Sequence, residues 1–456
     1  MNHDVIVIGS GQAGVPLATR LAVAGRRVLL AERSALGGTC VNYGCTPTKT
    51  MIASARAAHV ARNASRLGVS AGPVAVDLPA VVARKDAIVG AWRDGVARRL
   101  AGAGTRLTVL RGHARFAGPR EIEVNGERHR GDVIIVNTGA RPARPPIPGL
   151  DDVPWLDSHR ALDLREVPAH LLVLGGGYIG CELGQMFRRF GARVTIVQRG
   201  PRLLSREDPD VSDALQEALE REGIDVEPNA AVTQVNRRPN DVAVRLGDGR
   251  NLAGSHLLVA TGRRPNTDDL GCQAAGISLD SGGFIVVDDG FLTTAAHVYA
   301  VGDVAGSPQF THTAWDEHRH LFARLMGRTG RPRSARLVPS VVFTDPQVAV
   351  VGLKEHEAKA KGMQYEVARM PFGRVARAIE VDETAGLLKV LIDPRTEQIL
   401  GASLVGAEAG ELLHVFVALM EAKAPARAIV DAEFVHPTFS EGLQSLLMRL
   451  ARFEPQ

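Results

Sequence analysis

Short apolar, β-branched runs that stop abruptly at glycine recur along the chain. Val5-Ile6-Val7-Ile8 runs into Gly9-Ser10-Gly11-Gln12-Ala13-Gly14 and then into a helical stretch from Val15 to Ala24, which predicts strand, tight turn and helix. Arg27 to Ala31 predict the next strand, ending in Glu32. The pattern returns at Leu171-Leu172-Val173-Leu174 and Gly175-Gly176-Gly177-Tyr178-Ile179-Gly180, with a helix through Arg189 and a strand from Arg193 to Val197. A third apolar run, Tyr299-Ala300-Val301, delivers Asp303 into a turn flanked by Gly302 and Gly306. Ile134 to Ala140 and Leu258 to Arg263 resemble each other and bracket the second unit, and the proline-rich stretch Arg141 to Pro148 reads as a linker. From about Arg333 the texture changes. Strands at Val338 to Phe343, Leu387 to Ile392 and Leu400 to Val405, with helices at Gly410 to Lys423 and Ser440 to Leu450, predict an α+β unit.

The glycine turns carry the first chemical signal. Gly9, Gly11 and Gly14 permit a tight turn and close approach of a pyrophosphate to a helix N-terminus, and Glu32 stands where a carboxylate accepts hydrogen bonds from ribose hydroxyls. Gly175, Gly177 and Gly180 repeat the turn, but Gln198 replaces the acid, followed by Arg199, Arg202 and Arg206. A lost carboxylate and gained guanidinium groups suit a 2′-phosphate, so the second site reads as NADPH, the alternative being arginines that are merely solvated surface. The predicted fold is α/β, with two Rossmann-like dinucleotide-binding domains, the NADPH domain inserted in a larger flavin domain, and a C-terminal α+β domain. The expected boundaries are residues 1–148 and 263–332 for the flavin domain, 149–262 for the NADPH domain and 333–456 for the last.

Cys40 and Cys45 lie in the run Gly37-Gly38-Thr39-Cys40-Val41-Asn42-Tyr43-Gly44-Cys45-Thr46-Pro47-Thr48-Lys49. On a regular helix this spacing separates the Cα atoms by roughly 8 to 9 Å, whereas a disulfide needs less than about 7 Å, so pairing requires a bend, for which Gly44 offers freedom. Pro47 marks a helix beginning just after Cys45, and the free amides, the dipole and Lys49 one turn on all favour a thiolate there. This reads as a reactive dithiol. A structural disulfide or a zinc site fits less well, because the chain has 4 cysteines and Cys181 and Cys272 are isolated, most simply as packed thiols. Near the C-terminus His436-Pro437-Thr438-Phe439-Ser440-Glu441 offers an oriented acid/base pair, a structural histidine being the commoner reading of such a residue taken alone.

Length and charge narrow the class. The 456 residues, 45% apolar, suffice for about three domains, and a formal charge of +4 spread along the chain gives no reason to expect nucleic acid. No apolar run reaches a membrane span, the best, Leu171 to Cys181, being cut by glycines, and Met1-Asn2-His3-Asp4 enters a strand without a signal-peptide pattern. A cytoplasmic location is expected. No metal site is expected either: His312, His318 and His320 are unevenly spaced and read as helix-surface residues, while Arg374 and Arg377 read as a solvated loop.

Taken together, the Gly37 to Lys49 block, the two dinucleotide fingerprints, Gly302-Asp303 and the terminal His436-Pro437-Thr438 with Glu441 resemble, in order, the class I pyridine nucleotide-disulfide oxidoreductases. These are FAD enzymes such as glutathione reductase, dihydrolipoamide dehydrogenase and mercuric reductase. The resemblance covers essentially the whole chain. It implies a homodimer whose C-terminal domain completes the active site of the other subunit. It implies that Gly9, Gly11, Gly14, Glu32, Thr39, Gly139 and Asp303 hold FAD, and that Gly175, Gly177, Gly180, Tyr178 as a gate, Arg199, Arg202 and Gly262 serve NADPH. A Lys49 and Glu182 ion pair near the flavin, Cys45 as the flavin-facing thiol, Cys40 as the interchange thiol and His436 with Glu441 as acid/base complete the implied set.

Mercuric reductases resemble the chain at Gly38 to Asn42 and Arg206 to Pro209, but typically carry a C-terminal cysteine pair. The tail from Met448 to Gln456 has none, and no N-terminal metal-binding extension is expected. The sequence is similar, too, to the branch that includes bacterial flavoproteins of reactive chlorine resistance, which implies a small oxidant such as hypothiocyanous acid, or a low-molecular-weight disulfide, as the substrate class. Mercuric reductase or dihydrolipoamide dehydrogenase activity is the alternative, and a redox-sensing flavoprotein is the alternative of another class.

Overall fold

The computed structural model describes residues 1–239 and 241–453. Glu454, Pro455 and Gln456, the end of the cysteine-free tail, lie outside the described residues. The chain forms two compact units, Met1–Thr50 with Ala80–Ala143 and Gly262–Arg336, and Met51–Pro79 with Arg144–Thr261 and Leu337–Gln456.

The chain opens with β1 (Asn2–Ile8), α1 (Gly14–Val23), β2 (Val28–Glu32) and α2 (Gly38–Asn42) in the first unit, and α3 (Cys45–Asn63) begins there and continues from Met51 in the second. The sheet order is Leu107–Arg111, β2, β1, Glu127–Val136, Glu121–Val124, Ala114–Gly118, with Val298–Ala300 also on Glu127–Val136. The strands Leu107–Arg111, β2, β1, Glu127–Val136 and Val298–Ala300 run parallel, in registers such as Val5↔Val28, Ile6↔Ile134 and Val298↔Ile134. A parallel strand is covered on both faces, which is why Val5 to Ile8 reads as an unbroken apolar run. Val5 and Val7 pack with Leu17 and Leu21 of α1, while Ile6 and Ile8 pack with Phe116, Ile122 and Ile285. The strand ends bring the turn after β1, Glu32, Asn137 to Gly139 and Gly302 to one edge, the place where open α/β sheets bind ligands. The chain meets itself where the two similar runs end: Ala140–Pro142 pairs antiparallel with Arg263–Pro265.

The second unit holds three sheets. Four parallel strands lie in the order Ile224–Glu227, Arg193–Val197, His170–Leu174, His256–Val259, and the helix Tyr178–Phe190 buries Leu183, Met186 and Phe187. A three-stranded antiparallel sheet spans Val232–Arg237, Val242–Leu246 and Asn251–Gly254. The C-terminal segment forms five antiparallel strands in the order Ser340–Val342, Gln347–Gly352, Ile399–Gly406, Leu387–Ile392, Glu366–Pro371. Their core joins Phe372 and Leu404 to Leu413 and Phe416 of the helix Ala409–Ala422 and Leu443 of the helix Glu441–Leu447, each buried side chain contributing about 1.5–3 kcal/mol. Among the described residues no helix is long and apolar enough to cross a membrane.

Candidate functional site

The two glycine turns are built alike. Gly9 and Gly175 both follow a strand with positive φ, +102° and +107°, and a Cβ on Gly14 or Gly180 would strike the carbonyl of Gly9 or Gly175 respectively. The third glycine of each turn therefore exists so that helix and strand can touch. A Cβ on Gly177, Gly139 or Gly262 would meet no protein atom within 4 Å, so these positions leave open space for a backbone-hugging ligand. Gly177 is also the N-cap of the helix Tyr178–Phe190, whose free amides suit a pyrophosphate. Both turns thus fit a dinucleotide.

Around the first turn, Glu32 accepts hydrogen bonds through Oε2 from the Ser10 amide (2.8 Å) and hydroxyl (2.7 Å), and through Oε1 from the Ser34 amide (2.7 Å). A carboxylate has about four acceptor positions, so one remains for a ribose hydroxyl. Asn137 is central and was not read from the sequence: its Oδ1 accepts from the Gly14 amide at 2.9 Å and its Nδ2 donates to the Val301 carbonyl at 2.9 Å. It thereby ties the glycine turn to the turn bearing Asp303. Glu317, fully buried, accepts from the Gly302 amide, the Ser307 hydroxyl and Arg336, fixing that second turn. Burial raises the Asp303 carboxyl above the usual range, opposed by Arg263, whose Nη2 is 3.7 Å away.

The cysteines occupy one short helix and the start of a long one. Gly37 and Gly38 have φ of +101° and +64°, and a Cβ on Gly38 would come within 2.8 Å of Gly11 Cα, which seats the start of α2 on the first glycine turn. Asn42 ends α2 by donating to the carbonyls of Leu36 (2.9 Å) and Gly38 (3.0 Å), and α3 starts afresh at Cys45. The bend that pairing demands is present. Left-handed freedom is used at Gly37 and Gly38, whereas Gly44 is needed for close packing, a Cβ there approaching the Thr39 carbonyl to 3.1 Å. Both residues are thiols here, Cys45 exposed and Cys40 half-buried, with Thr39 exposed beside them. The hydrogen bond with Cys45, then burial, push the Cys40 thiol far up, against the opposing pull of Thr311 and Lys49. Cys45 Sγ lies 3.1 Å from Thr311 Oγ1 at the start of the helix Thr311–Leu325. Thr311, 266 positions away, carried no local signal.

In the second unit Gln198 Oε1 accepts from the Gly176 amide at 3.0 Å, so the residue in the acid's place braces the turn itself. Arg199 is exposed; Arg202 pairs with Asp213 at 2.7 Å, both largely exposed, a bond worth about 1 kcal/mol or less and easily exchanged for a phosphate. Glu182 is buried and accepts from the Phe343 amide at 2.8 Å. Lys49 belongs to the first unit and Glu182 to the second. Tyr178 is half-buried, with its hydroxyl on Glu207 at 2.8 Å, and burial pushes the phenol well above its ordinary value.

His436 and Glu441 are brought together, Nδ1 to Oε2 at 2.8 Å. The Thr438 hydroxyl donates to the Val435 carbonyl (2.8 Å) and accepts from the Glu441 amide (3.3 Å), shaping the turn that starts the last long helix. The imidazole side chain is 69% exposed. Cys181 and Cys272 are buried thiols pushed up to about 12 and about 11 by burial. One expectation changes: His318 is 2% exposed, edge-on to Trp315 at 4.5 Å, and lies inside the helix packing instead of on its surface.

Comparison with known proteins agrees with this architecture. Residues 3–317 match the model of the pyridine nucleotide-disulphide oxidoreductases and residues 338–447 that of their dimerisation domain. The chain is 39% identical to a dihydrolipoyl dehydrogenase of Thermus scotoductus (97% of this chain, 96% of that one). It is 37% identical to the probable pyridine nucleotide-disulfide oxidoreductase RclA of Escherichia coli (97% and 98%). It is 33% identical to a mercuric reductase of Staphylococcus aureus (97% and 81%). The solved structure of the HOCl-induced flavoprotein disulfide reductase RclA from Escherichia coli superposes with a TM-score of 0.90 at 36% identity, covering 98% of this chain and all of that one. The chain belongs to the pyridine nucleotide-disulphide oxidoreductase family and is an oxidoreductase that uses FAD and a nicotinamide dinucleotide.

Proposed function

We propose that the protein is an NADPH-dependent reductase of a small disulfide or oxidised sulfur species of the hypothiocyanous acid kind, acting through Cys40 and Cys45. The observation that supports it most is the hydrogen-bonded dithiol at the start of α3, with Thr311 3.1 Å from Cys45. Residues 1–148 and 263–332 hold FAD through Gly9, Gly11, Gly14, Glu32, Thr39, Gly139 and Asp303. Residues 149–262 hold NADPH through Gly175, Gly177, Gly180, Tyr178, Arg199, Arg202 and Gly262. Bound FAD supplies two-electron transfer from the nicotinamide to the sulfur pair. Lys49 supplies a cation and Glu182 a carboxylate to that transfer, and residues 333–456 pair two copies into a cytoplasmic homodimer.

In the reductive step the Cys40 thiolate attacks the oxidised sulfur of the substrate, forming a mixed disulfide and releasing a thiolate or hydroxide. His436 from a second copy, oriented by Glu441, removes the Cys40 proton and returns it to that leaving group. Cys45, as a thiolate, then attacks Cys40 and expels the group bound there, the second thiolate of a disulfide or thiocyanate from hypothiocyanous acid, leaving the Cys40–Cys45 disulfide to be reduced again.

The same geometry serves related acceptors, and similarity to a dihydrolipoyl dehydrogenase favours lipoamide as the second reading. Steady-state rates with NADPH and NADH against hypothiocyanous acid, glutathione disulfide, lipoamide, Hg(II) and quinones decide between them. Fast NADPH turnover with an oxidised sulfur acceptor, lost by at least about 10³-fold in Cys40→Ser, is expected. A single stoichiometric reduction would instead favour a redox sensor, and far better use of NADH would sink the role given to Arg199 and Arg202.

A further inference from the structure

Asn42 closes α2 two positions after Cys40 and is only 7% exposed. Its Nδ2 donates to the carbonyls of Leu36 and Gly38, across the left-handed Gly37 and Gly38, while its Oδ1 accepts from Arg93 Nε at 3.0 Å, 51 positions away. A guanidinium only donates, so it dictates which end of the amide faces it. The oxygen turns to Arg93, and the nitrogen is left for the two carbonyls. Arg93 is an exposed residue of the helix Leu78–Ala101, which also reaches α3, Arg84 Nη1 donating to the Thr50 carbonyl at 2.9 Å. Both arginines, Asn42, Thr50 and the two cysteines lie in the first unit. The two braces differ in what they hold. Thr50 sits within the regular turns of α3, 19 residues long, whereas α2 has 5 residues, too few for backbone bonds alone to keep its shape.

We propose that Arg93 is a positioning residue for the dithiol: through Asn42 it fixes α2, and with it the pose from which Cys40 bonds to Cys45. The inference rests on reading Cys40 and Cys45 as the redox pair. Forming their disulfide removes two electrons and two protons from the thiols, and the equilibrium depends on how closely the thiols already hold the bonded geometry. Without Arg93 the Asn42 oxygen loses its donor, and α2 gains states in which Cys40 is displaced. Those states are open to the dithiol and closed to the disulfide, whose own bond confines Cys40. Arg93 therefore favours the disulfide and makes the dithiol the stronger reductant. A hydrogen bond of this class carries a factor of about three to ten in such an equilibrium.

Equilibrating the holoenzyme with mixtures of dihydrolipoate and lipoate tests this, lipoate taking up the two electrons and two protons; the remaining thiols are then alkylated and the peptide carrying both cysteines is weighed. Arg93→Ala is expected to lower the equilibrium constant for disulfide formation about three- to tenfold, a rise in midpoint potential of about 15–30 mV. Asn42→Ala, stripped of all three bonds, should shift at least as far, and the double variant no further than Asn42→Ala alone. Arg84→Ala should stay within twofold of the parent, because the carbonyl it touches belongs to a helix that holds itself. Arg93→Ala within twofold of the parent, Arg84→Ala shifted as far as Arg93→Ala, or effects of Arg93 and Asn42 that add in full each overturn the brace. So does an Arg93→Ala protein whose melting temperature falls while its potential holds, the mark of a merely structural contact. If Asn42→Ala fails to fold, the two arginine variants carry the test. A parent whose cysteines never pair overturns the redox reading and the brace together, whereas unmoved variants of a pairing parent overturn the brace alone.

Discussion

At the level of single residues, what could be read in the sequence was what repeats or clusters locally. The cysteine pair, the six fingerprint glycines, and His436 with Glu441 five positions on are close neighbours in the chain. Asn137, Thr311 and Glu207 were not legible, because each acts on a partner 123, 266 or 29 positions away and only the fold supplies the contact. His318 shows how a periodic surface reading fails. Its helix is packed on the side that carries it, burial pushes the imidazole down to about 4, with Arg20 and Arg319 adding to the shift, and Nδ1 finds no hydrogen-bond partner among the described residues. The unfolded chain binds a proton near pH 6.5 and the folded one only near 4, so stability is full above pH 6.5 and falls as pH drops through that window. Between pH 7 and 4.5 this one group should cost about 2 kcal/mol. Urea unfolding of His318→Leu at the two pH values should show an acid loss smaller than the parent's by that amount; an identical loss would remove His318 as its source.

At the level of elements, the strand from Arg193 to Val197 and the strand from Leu387 to Ile392 lie where the apolar pattern placed them, since both are edged by glycine or polar residues. The strand expected from Val338 to Phe343 is shorter, Ser340–Val342, because pairing with Gln347–Gly352 covers only three positions. The repeated turn makes a sharper demand. Gly180→Ala forces a methyl into the Gly175 carbonyl, where neither the strand nor the helix can retreat, so a loss of about 1–3 kcal/mol in unfolding free energy is expected. Gly177→Ala meets no protein atom, and its stability should stay within about 0.5 kcal/mol of the parent. Dinucleotide affinity should nevertheless fall in Gly177→Ala, because its methyl occupies the space in front of the helix amides. Unchanged affinity in that variant would mean that the pyrophosphate lies elsewhere.

At the level of the whole molecule, the cysteine pair and the imidazole belong to different compact units of one chain, and His436 presents an exposed ring. A C-terminal segment that matches the family's dimerisation domain gives this arrangement a purpose if each site joins Cys40 and Cys45 of one copy to His436 of the other. Two variants separate that from a site made within one chain. On the proposed roles Cys40→Ala lacks the attacking sulfur and His436→Ala lacks the base, so each homodimer is expected to be nearly inactive. Unfolding and refolding an equal mixture yields about half mixed dimers, in which one of the two shared sites has both groups intact and the other has neither. Activity should return to about a quarter of the parent's under the shared arrangement. A site within one chain offers no such rescue, because every chain in the mixture lacks one of the two groups. Recovery near a quarter, measured after the dimers have exchanged, therefore supports the shared site, and none from properly mixed dimers would place the acid/base step inside a single subunit.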